Sequence, residues 1–309
     1  MSPLADPVFS GIFANVGVAG LAMESFIRAV LEADNERLVG KVTSVTPQRA
    51  HSSVKRRGCR VDIDTETDEN ERIVTEIQIN PDARIKVRNL FSASHIFRES
   101  SVKGDTPAQM AKKMPKVIHI NLLAYEVREN SSELLEPFKI MYTKKPKEVA
   151  IPNFSGYNIQ LPKLEKMEPD FGSALYCWCH AAYTAHAEGK SLKEVVDMSK
   201  ALQDYALQDP GFKQFCERYN IVSQDPQTQR QYVSWVNDIM REAGIKEAAW
   251  LSGEKEGVRK GIQKGIRKGK IEGIETVAIN MLKKNHAVQF VADLTNLTVE
   301  EVETLKSKL

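Results

Sequence analysis

Residues 60 to 79 constrain this chain most, because a short turn between two alternating segments leaves little choice of pairing. Arg60–Thr67 and Arg72–Ile79 alternate apolar and polar side chains, and Asp68-Glu69-Asn70 between them is turn-like. The first segment puts Arg60, Asp62, Asp64 and Glu66 on one face and Val61 and Ile63 on the other. The second has Ile73, Thr75, Ile77 and Ile79 on its apolar face, with Arg72, Val74, Glu76 and Gln78 opposite. A hairpin that keeps both apolar faces on one side needs paired residue numbers with an even sum, and a three-residue loop makes that sum 138. This register sets Asp62 across from Glu76 and Arg60 across from Gln78. Directly opposed side chains bring their Cβ atoms to about 4.5–5.5 Å, where like charges repel. Two facing carboxylates make sense when a divalent cation lies between them. The same register sets Glu66 against Arg72 and Arg60 diagonal to Glu76. Spacing alone therefore also describes an ordinary solvated, salt-bridged outer face.

The elements around this hairpin are a mixture of helices and strands. Met23, Phe26, Ile27, Val30 and Leu31 recur at helical spacing and predict an amphipathic helix over 19–33. Val39–Val45 reads as a strand, and Pro47–Arg57 as a polar, basic loop. Asn80-Pro81-Asp82 offers an N-cap, a proline at the first helical position and an acid at the second, which predicts a helix over about 81–98. Lys116–Glu126 is a near-continuous apolar run, expected as a buried strand. Tyr157–Leu161 predicts one more strand, and beyond Phe171 the pattern is helical. The expected fold is an α/β core, with a mixed sheet flanked by helices, followed by an all-helical extension.

Composition bounds the function. A formal net charge of +2 over 309 residues makes the chain no polycation, so any nucleic-acid surface must come from local clusters of basic residues. Arg49, Lys55, Arg56, Arg57 and Arg60 form one such cluster, suited to a phosphate backbone or equally to a solvated loop. The cysteines at 59, 177, 179 and 216 have no disulfide-framework spacing and read as reduced thiols of a cytoplasmic protein. Met1–Met23 lacks a basic residue before its apolar run, a poor signal peptide, and no stretch approaches the roughly 20 apolar residues of a membrane span. A soluble, intracellular protein is the expectation.

Glycines at 253, 257, 261, 265, 269 and 273 recur every fourth residue among Lys and Arg. On a helix of 3.6 residues per turn such a stripe winds slowly around the axis, and each glycine costs about 1 kcal/mol relative to alanine. The segment is either a solvated flexible linker or a helix ordered by a partner on the stripe, a second copy of the chain included. Residues 276–309 hold two short amphipathic helices, the second with a capping box from Thr298 to Glu301. Domain boundaries are expected as a core over 1–168, a helical region over 169–250, the Gly/Lys segment over 251–275 and a small module over 276–309.

The run Arg60-Val-Asp-Ile-Asp followed by Thr75-Glu-Ile-Gln78 resembles the PD-(D/E)XK nuclease family transposases, also called recombination-promoting nucleases. Glu24-Ser-Phe-Ile-Arg-Ala-Val-Leu31, Arg88, the Val117–Tyr125 strand, Leu161-Pro-Lys163 and the glycine repeats fall in the family's order. The resemblance implies a restriction-endonuclease-like core and metal-dependent cleavage of DNA, with RNA left open. Carried over, it makes Asp62 and Glu76 ligands of Mg²⁺ or another divalent cation, and puts Gln78 where the wider superfamily usually has lysine. Gln78 orients but carries no charge, so Lys55 or Arg88 is the candidate for the missing positive group, with Arg57 a further nucleic-acid contact. Glu24 is a candidate third metal ligand, because an acid on the first helix often points at the site in this superfamily. Gln160, where relatives often have Glu, reads as structural.

Other motifs carry less. Cys177-Trp-Cys179-His180 lacks a second ligand pair at zinc spacing and reads as packed helix, and His95 and His119 read as core or surface residues. Alternatives to an endonuclease acting in recombination are a catalytically inactive nucleic-acid-binding or docking protein, and a nuclease toxin or phage-defence effector built on the same site.

Overall fold

A computed structural model describes every residue except Ala14, Asn15, Val39, Arg49, Val54, Lys55 and Ala83; for residues 16–19, 50–53, 56–60 and 246 it describes the backbone alone. The chain divides into two compact units, Met1–Val236 and Asn237–Leu309.

The first unit opens with helices α1 (Asp6–Phe13) and α2 (Val16–Glu32). Five strands follow: β1 (Val42–Pro47), β2 (Ala50–Ser53), β3 (Arg56–Arg60), β4 (Ile63–Thr67) and β5 (Glu71–Gln78). Helices α3 (Ile85–Glu99) and α4 (Pro107–Lys113) lead to β6 (Lys116–Leu123), then β7 (Leu135–Lys139), β8 (Met141–Tyr142), β9 (Lys145–Val149) and β10 (Phe154–Gln160). Helices α5 (Ala174–Ala187), α6 (Leu192–Met198), α7 (Lys200–Gln208), α8 (Pro210–Gln224) and the long α9 (Pro226–Lys283) come next, then α10 (Val288–Thr295) and α11 (Val299–Lys306).

Six strands form one mixed sheet in the order β1-β4-β5-β6-β10-β7. The hairpin register is the expected one: Ile63 pairs with Thr75, Asp64 with Val74, Thr65 with Ile73 and Glu66 with Arg72, each summing to 138. On one face Ile63, Ile73, Ile77, Ile118 and Ile120 join α1, α2, α5 and α8 in the main core. Each such fully buried isoleucine contributes roughly 1.5–3 kcal/mol. The other face is covered as well. Val74, Val117 and Phe154 pack there against Ala93 and Ile96 of α3, with Val61 beside them.

Burial on both faces changes the first segment. Val61 and Ile63 belong to different core clusters, because the chain bends at Asp62 before β4 begins. Arg60 therefore pairs with Ala50 in the separate β2–β3 hairpin, and Gln78 pairs with Leu123 of β6; they are not opposed to one another. That hairpin also replaces the loop expected over 47–57. Asp64, expected on a solvated face, is buried and ion-paired with Arg72, whose Nε donates to its Oδ1 at 3.1 Å. Arg72 also reaches Glu66 at 3.5 Å, the cross-strand pair that the register predicts.

Helix α3 starts at Ile85 rather than 81, and Asp82, expected at the second helical position, lies before the helix, where its Oδ1 accepts the N–H of Arg84 at 2.9 Å. Gln160 is structural. It is fully buried at the end of β10, its Oε1 accepts the N–H groups of Val127 (2.7 Å) and Arg128 (2.9 Å), and its Nε2 donates to the carbonyl of Glu133 (3.2 Å). A glutamate there could accept the first two bonds but not donate the third, so Gln160→Glu is expected to lower the melting temperature by a few degrees, a cost of about 1–2 kcal/mol.

The α5 segment that carries Cys177-Trp-Cys179-His180 is packed helix: both cysteines are buried, and the His180 ring stacks on Tyr176. His95 lies buried on α3 and His119 fully buried on β6. No helix among the described residues is long and apolar enough to cross a membrane.

In the second unit the Gly/Lys segment is helical, part of α9, and not a flexible linker. Good helix formers between the glycines, and pairs such as Glu256–Lys260 (3.4 Å) and Lys268–Glu272 (3.6 Å) one turn apart, offset part of the glycine cost. Apart from the neighbouring turns of its own helix backbone, a Cβ built on any of the repeat glycines from Gly253 to Gly273 meets no described atom within 4 Å. Ala278, Leu282, Val291, Ala292 and Val302 form a small core with α10 and α11, and Thr298 and Glu301 close the expected capping box.

Candidate active site

The hairpin delivers Asp62 and Glu76 to one point, at the carboxyl end of the parallel pair β5 and β6. Ligands of open α/β sheets characteristically bind at that end. The Asp62 Oδ2 accepts the backbone N–H of Ile77 at 2.8 Å, while the Glu76 carboxylate receives the backbone N–H of Asp62. Each acid is thus held by the other's strand. The carbonyl of Asp62 accepts the N–H of Gln48 at 2.6 Å, which fixes the bend against the end of β1.

Glu76 is 5% exposed, and two side chains reach its carboxylate. The Arg88 Nη2, from α3, donates to its Oε2 at 2.9 Å, and the Gln78 Nε2 approaches the same oxygen at 3.5 Å. Arg88 also reaches Asp82 at 3.6 Å. Asn121, the β6 register partner of Glu76, is fully buried; its Nδ2 donates to Asn158 Oδ1 at 2.9 Å, and its Oδ1 has no hydrogen-bond partner among the described residues.

Electrostatics mark the same place. Burial, then the charge of Asp62, pushes Glu76 from the ordinary 4.5 up to about 8, with Arg88 pulling the other way. Burial raises Asp62 against the opposing pull of the Ile77 N–H and Arg88. Asp6, at the start of α1, is pushed up to about 7 by burial and by Asp62. Strongly raised carboxyls clustered around one arginine are characteristic of functional sites.

The hard oxygen donors Asp62 and Glu76, with the orphaned amide oxygen of Asn121, suit a cation such as Mg²⁺ that binds few protein ligands and keeps waters. A cation would also relieve the cost of placing the half-buried Asp62 beside the buried Glu76. Asp6 influences both acids but does not converge with them on one point. Among the described residues no group of three or more His, Cys, Asp or Glu is placed to hold a metal ion.

The other sequence candidates lie elsewhere or beyond view. Glu24 Oε1 pairs with Arg28 at 2.9 Å, and its Oε2 accepts the N–H of Val42 at 3.2 Å. Val42 pairs with Thr67, five residues along β4 from Asp62, or about 16 Å at 3.3 Å per residue. The structure thus brings Asp62, Glu76, Gln78 and Arg88 together and sets Glu24 at the opposite end of the hairpin. Lys55 lies outside the described residues, and Arg57 lies in β3, where the backbone alone is described.

Asp6 and Asn121 escape the sequence reading. Asp6-Pro7 is a helix-start signal that places an acid in the first turn of the first helix. Expecting the first helix only at 19 directs attention to Glu24 instead.

The model of the PD-(D/E)XK nuclease family transposases matches residues 3–242 of the 309. The chain belongs to this family. No curated protein and no solved structure matches it. As a member of the PD-(D/E)XK nuclease family transposases, the chain has a nuclease-related function, and the family implies a nucleic-acid substrate. Its mixed six-stranded sheet flanked by helices is the restriction-endonuclease-like α/β fold, and PD-(D/E)XK nucleases generally use divalent cations.

Proposed function

We propose that this chain is a Mg²⁺-dependent DNA endonuclease acting in recombination or mobile-element biology. The observation that carries this reading is the pair of half-buried Asp62 and buried Glu76, two acids that the hairpin register brings together at the carboxyl end of β5. Asp62 and Glu76 are the proposed metal ligands. When bound, the cation supplies neutralisation of the scissile phosphate and an activated water.

The surrounding side chains set the conditions. Arg88 fixes the Glu76 carboxylate and keeps a permanent positive charge at the site, the role that Gln78 cannot fill. Gln78 has an amide with which to orient water or a phosphate oxygen, and its approach to Glu76 holds it on that face. Asp6 adds negative charge near the pair and so opposes its ionisation.

Nicking of supercoiled plasmid tests the reading. Wild type is expected to nick with Mg²⁺ and not with EDTA, and Asp62→Ala to be inactive yet folded. Equal nicking by wild type and Asp62→Ala would sink it. Asp6→Asn is expected to cut, with the acid limb of its pH–rate profile moved to lower pH, because the pair then ionises more easily. An unmoved limb would remove Asp6 from the electrostatics of the site.

A further inference from the structure

Between Gly257 and Ile271, α9 carries Arg259, Lys260, Lys264, Arg267, Lys268 and Lys270 and no acid. At about 100° per residue, Arg259, Arg267, Lys260, Lys264 and Lys268 fall in that order across one half of the helix. The other half holds Gly261, Gly265 and Gly269 with Val258, Ile262 and Ile266. The five cations extend over about 13 Å of helix axis, a length of duplex DNA that presents about eight phosphates.

These side chains are open to solvent: Arg259, Lys260 and Lys268 are 58%, 64% and 79% exposed. Their ion pairs with Glu256 and Glu272 are surface pairs within the helix, worth little and easily exchanged for a phosphate. Lys264 and Arg267 make no ion pair among the described residues. A helix that lies on a lipid surface needs a broad apolar face with bulky residues. Here that face is half glycine, with only Val258, Ile262 and Ile266 to insert. A polyanion on the basic face fits the charge pattern better.

We infer that the basic face of α9 formed by Arg259, Lys260, Lys264, Arg267 and Lys268 is a second, sequence-independent contact for the phosphate backbone of duplex DNA. It serves to retain DNA rather than to cut it, and it rests on the proposed function for the identity of its partner.

The test uses the full chain with Asp62→Ala in EDTA, so that the probe stays intact. Binding of a fluorescein-labelled 30-base-pair duplex is followed by anisotropy from about 50 to 300 mM NaCl, with and without the exposed changes Lys260→Gln, Lys264→Gln and Lys268→Gln. Glutamine keeps helix propensity, and circular dichroism checks that the helix persists. Each phosphate contact contributes about 0.9 to the salt slope, so the triple variant should lose up to about 2.7 of slope and on the order of a hundredfold in affinity near 0.1 M salt. An unchanged slope and affinity overturns the inference. So does binding to phosphatidylserine vesicles that the triple change abolishes while duplex binding stays the same. Cleavage is scored separately, on chains with Asp62 intact. Charge-dependent binding without nicking removes the nuclease reading alone, whereas Asp62-dependent nicking with unaltered binding by the triple variant removes this surface alone.

Discussion

Glu76→Gln is expected to lower plasmid cleavage about 10³-fold while making the metal-free protein more stable at alkaline pH. Loss of one of two metal-holding carboxylates forfeits several kcal/mol of charge stabilisation, each 1.36 kcal/mol being tenfold in rate. The stability effect follows from linkage. Below the ordinary carboxylate pKa of 4.5, Glu76 is protonated in the folded and unfolded chain alike. Between 4.5 and about 8 the unfolded chain releases a proton that the fold retains, so stability falls as pH rises. Above about 8 the cost of a buried anion is complete. Replacing the acid with its neutral isostere removes that cost but also the charge that faces Arg88, leaving a net gain of roughly 2 kcal/mol, or about 4–8 °C in melting temperature at pH 8.5 in EDTA. At pH 4, below the ordinary carboxylate pKa, the two proteins should melt together. A variant that melts lower than wild type at pH 8.5 would show that Glu76 is a structural ion-pair partner of Arg88 and not a strained site residue.

Lys163→Ala should produce the largest loss of stability, about 3 kcal/mol and roughly 6–12 °C, by thermal melting. Lys163 is 2% exposed, ion-paired with Glu126, and donates to the carbonyl of Arg128 at 3.2 Å. Glu126 is held below the ordinary carboxylate range by Lys163 first and Lys166 second. Removing the buried ammonium leaves Glu126 only its exposed partner Lys166, at 2.5 Å, and opens a cavity where the stem lay. Lys163→Met, which keeps the stem, should cost clearly less. Equal losses would assign the effect to the ion pair rather than to packing.

The hairpin was legible because period-two alternation and a short turn leave one register, and Ile63↔Thr75 bears out the sum. The capping box at Thr298 was legible for a similar reason, being a local signature of side chain to backbone. Arg60 was misplaced because the bend at Asp62 is a tertiary event: Val61 turns to pack under α3, and no local propensity announces that. Asp64 looked solvated because a sheet covered on both faces cannot be told from one-sided alternation when its second layer arrives twenty residues later, as α3. The proximity of Asp6 and Asn121 to the acids needs α1 and β6 in place, contacts distant in sequence. Propensity alone leaves the glycine segment open between linker and helix, because it does not count the charged pairs that bridge successive turns.

The claim that Asp62 and Glu76 form a cation-holding pair is tested most directly by calorimetric titration of Mn²⁺ or Mg²⁺ into the full chain at pH 7, in two buffers of different ionisation enthalpy. Because Glu76 retains its proton up to about pH 8, wild type should bind the cation with release of roughly one proton. Asp62→Ala should bind far more weakly, and Glu76→Gln should bind weakly with no buffer dependence. Equal affinity and equal proton release in wild type and Glu76→Gln would contradict the account.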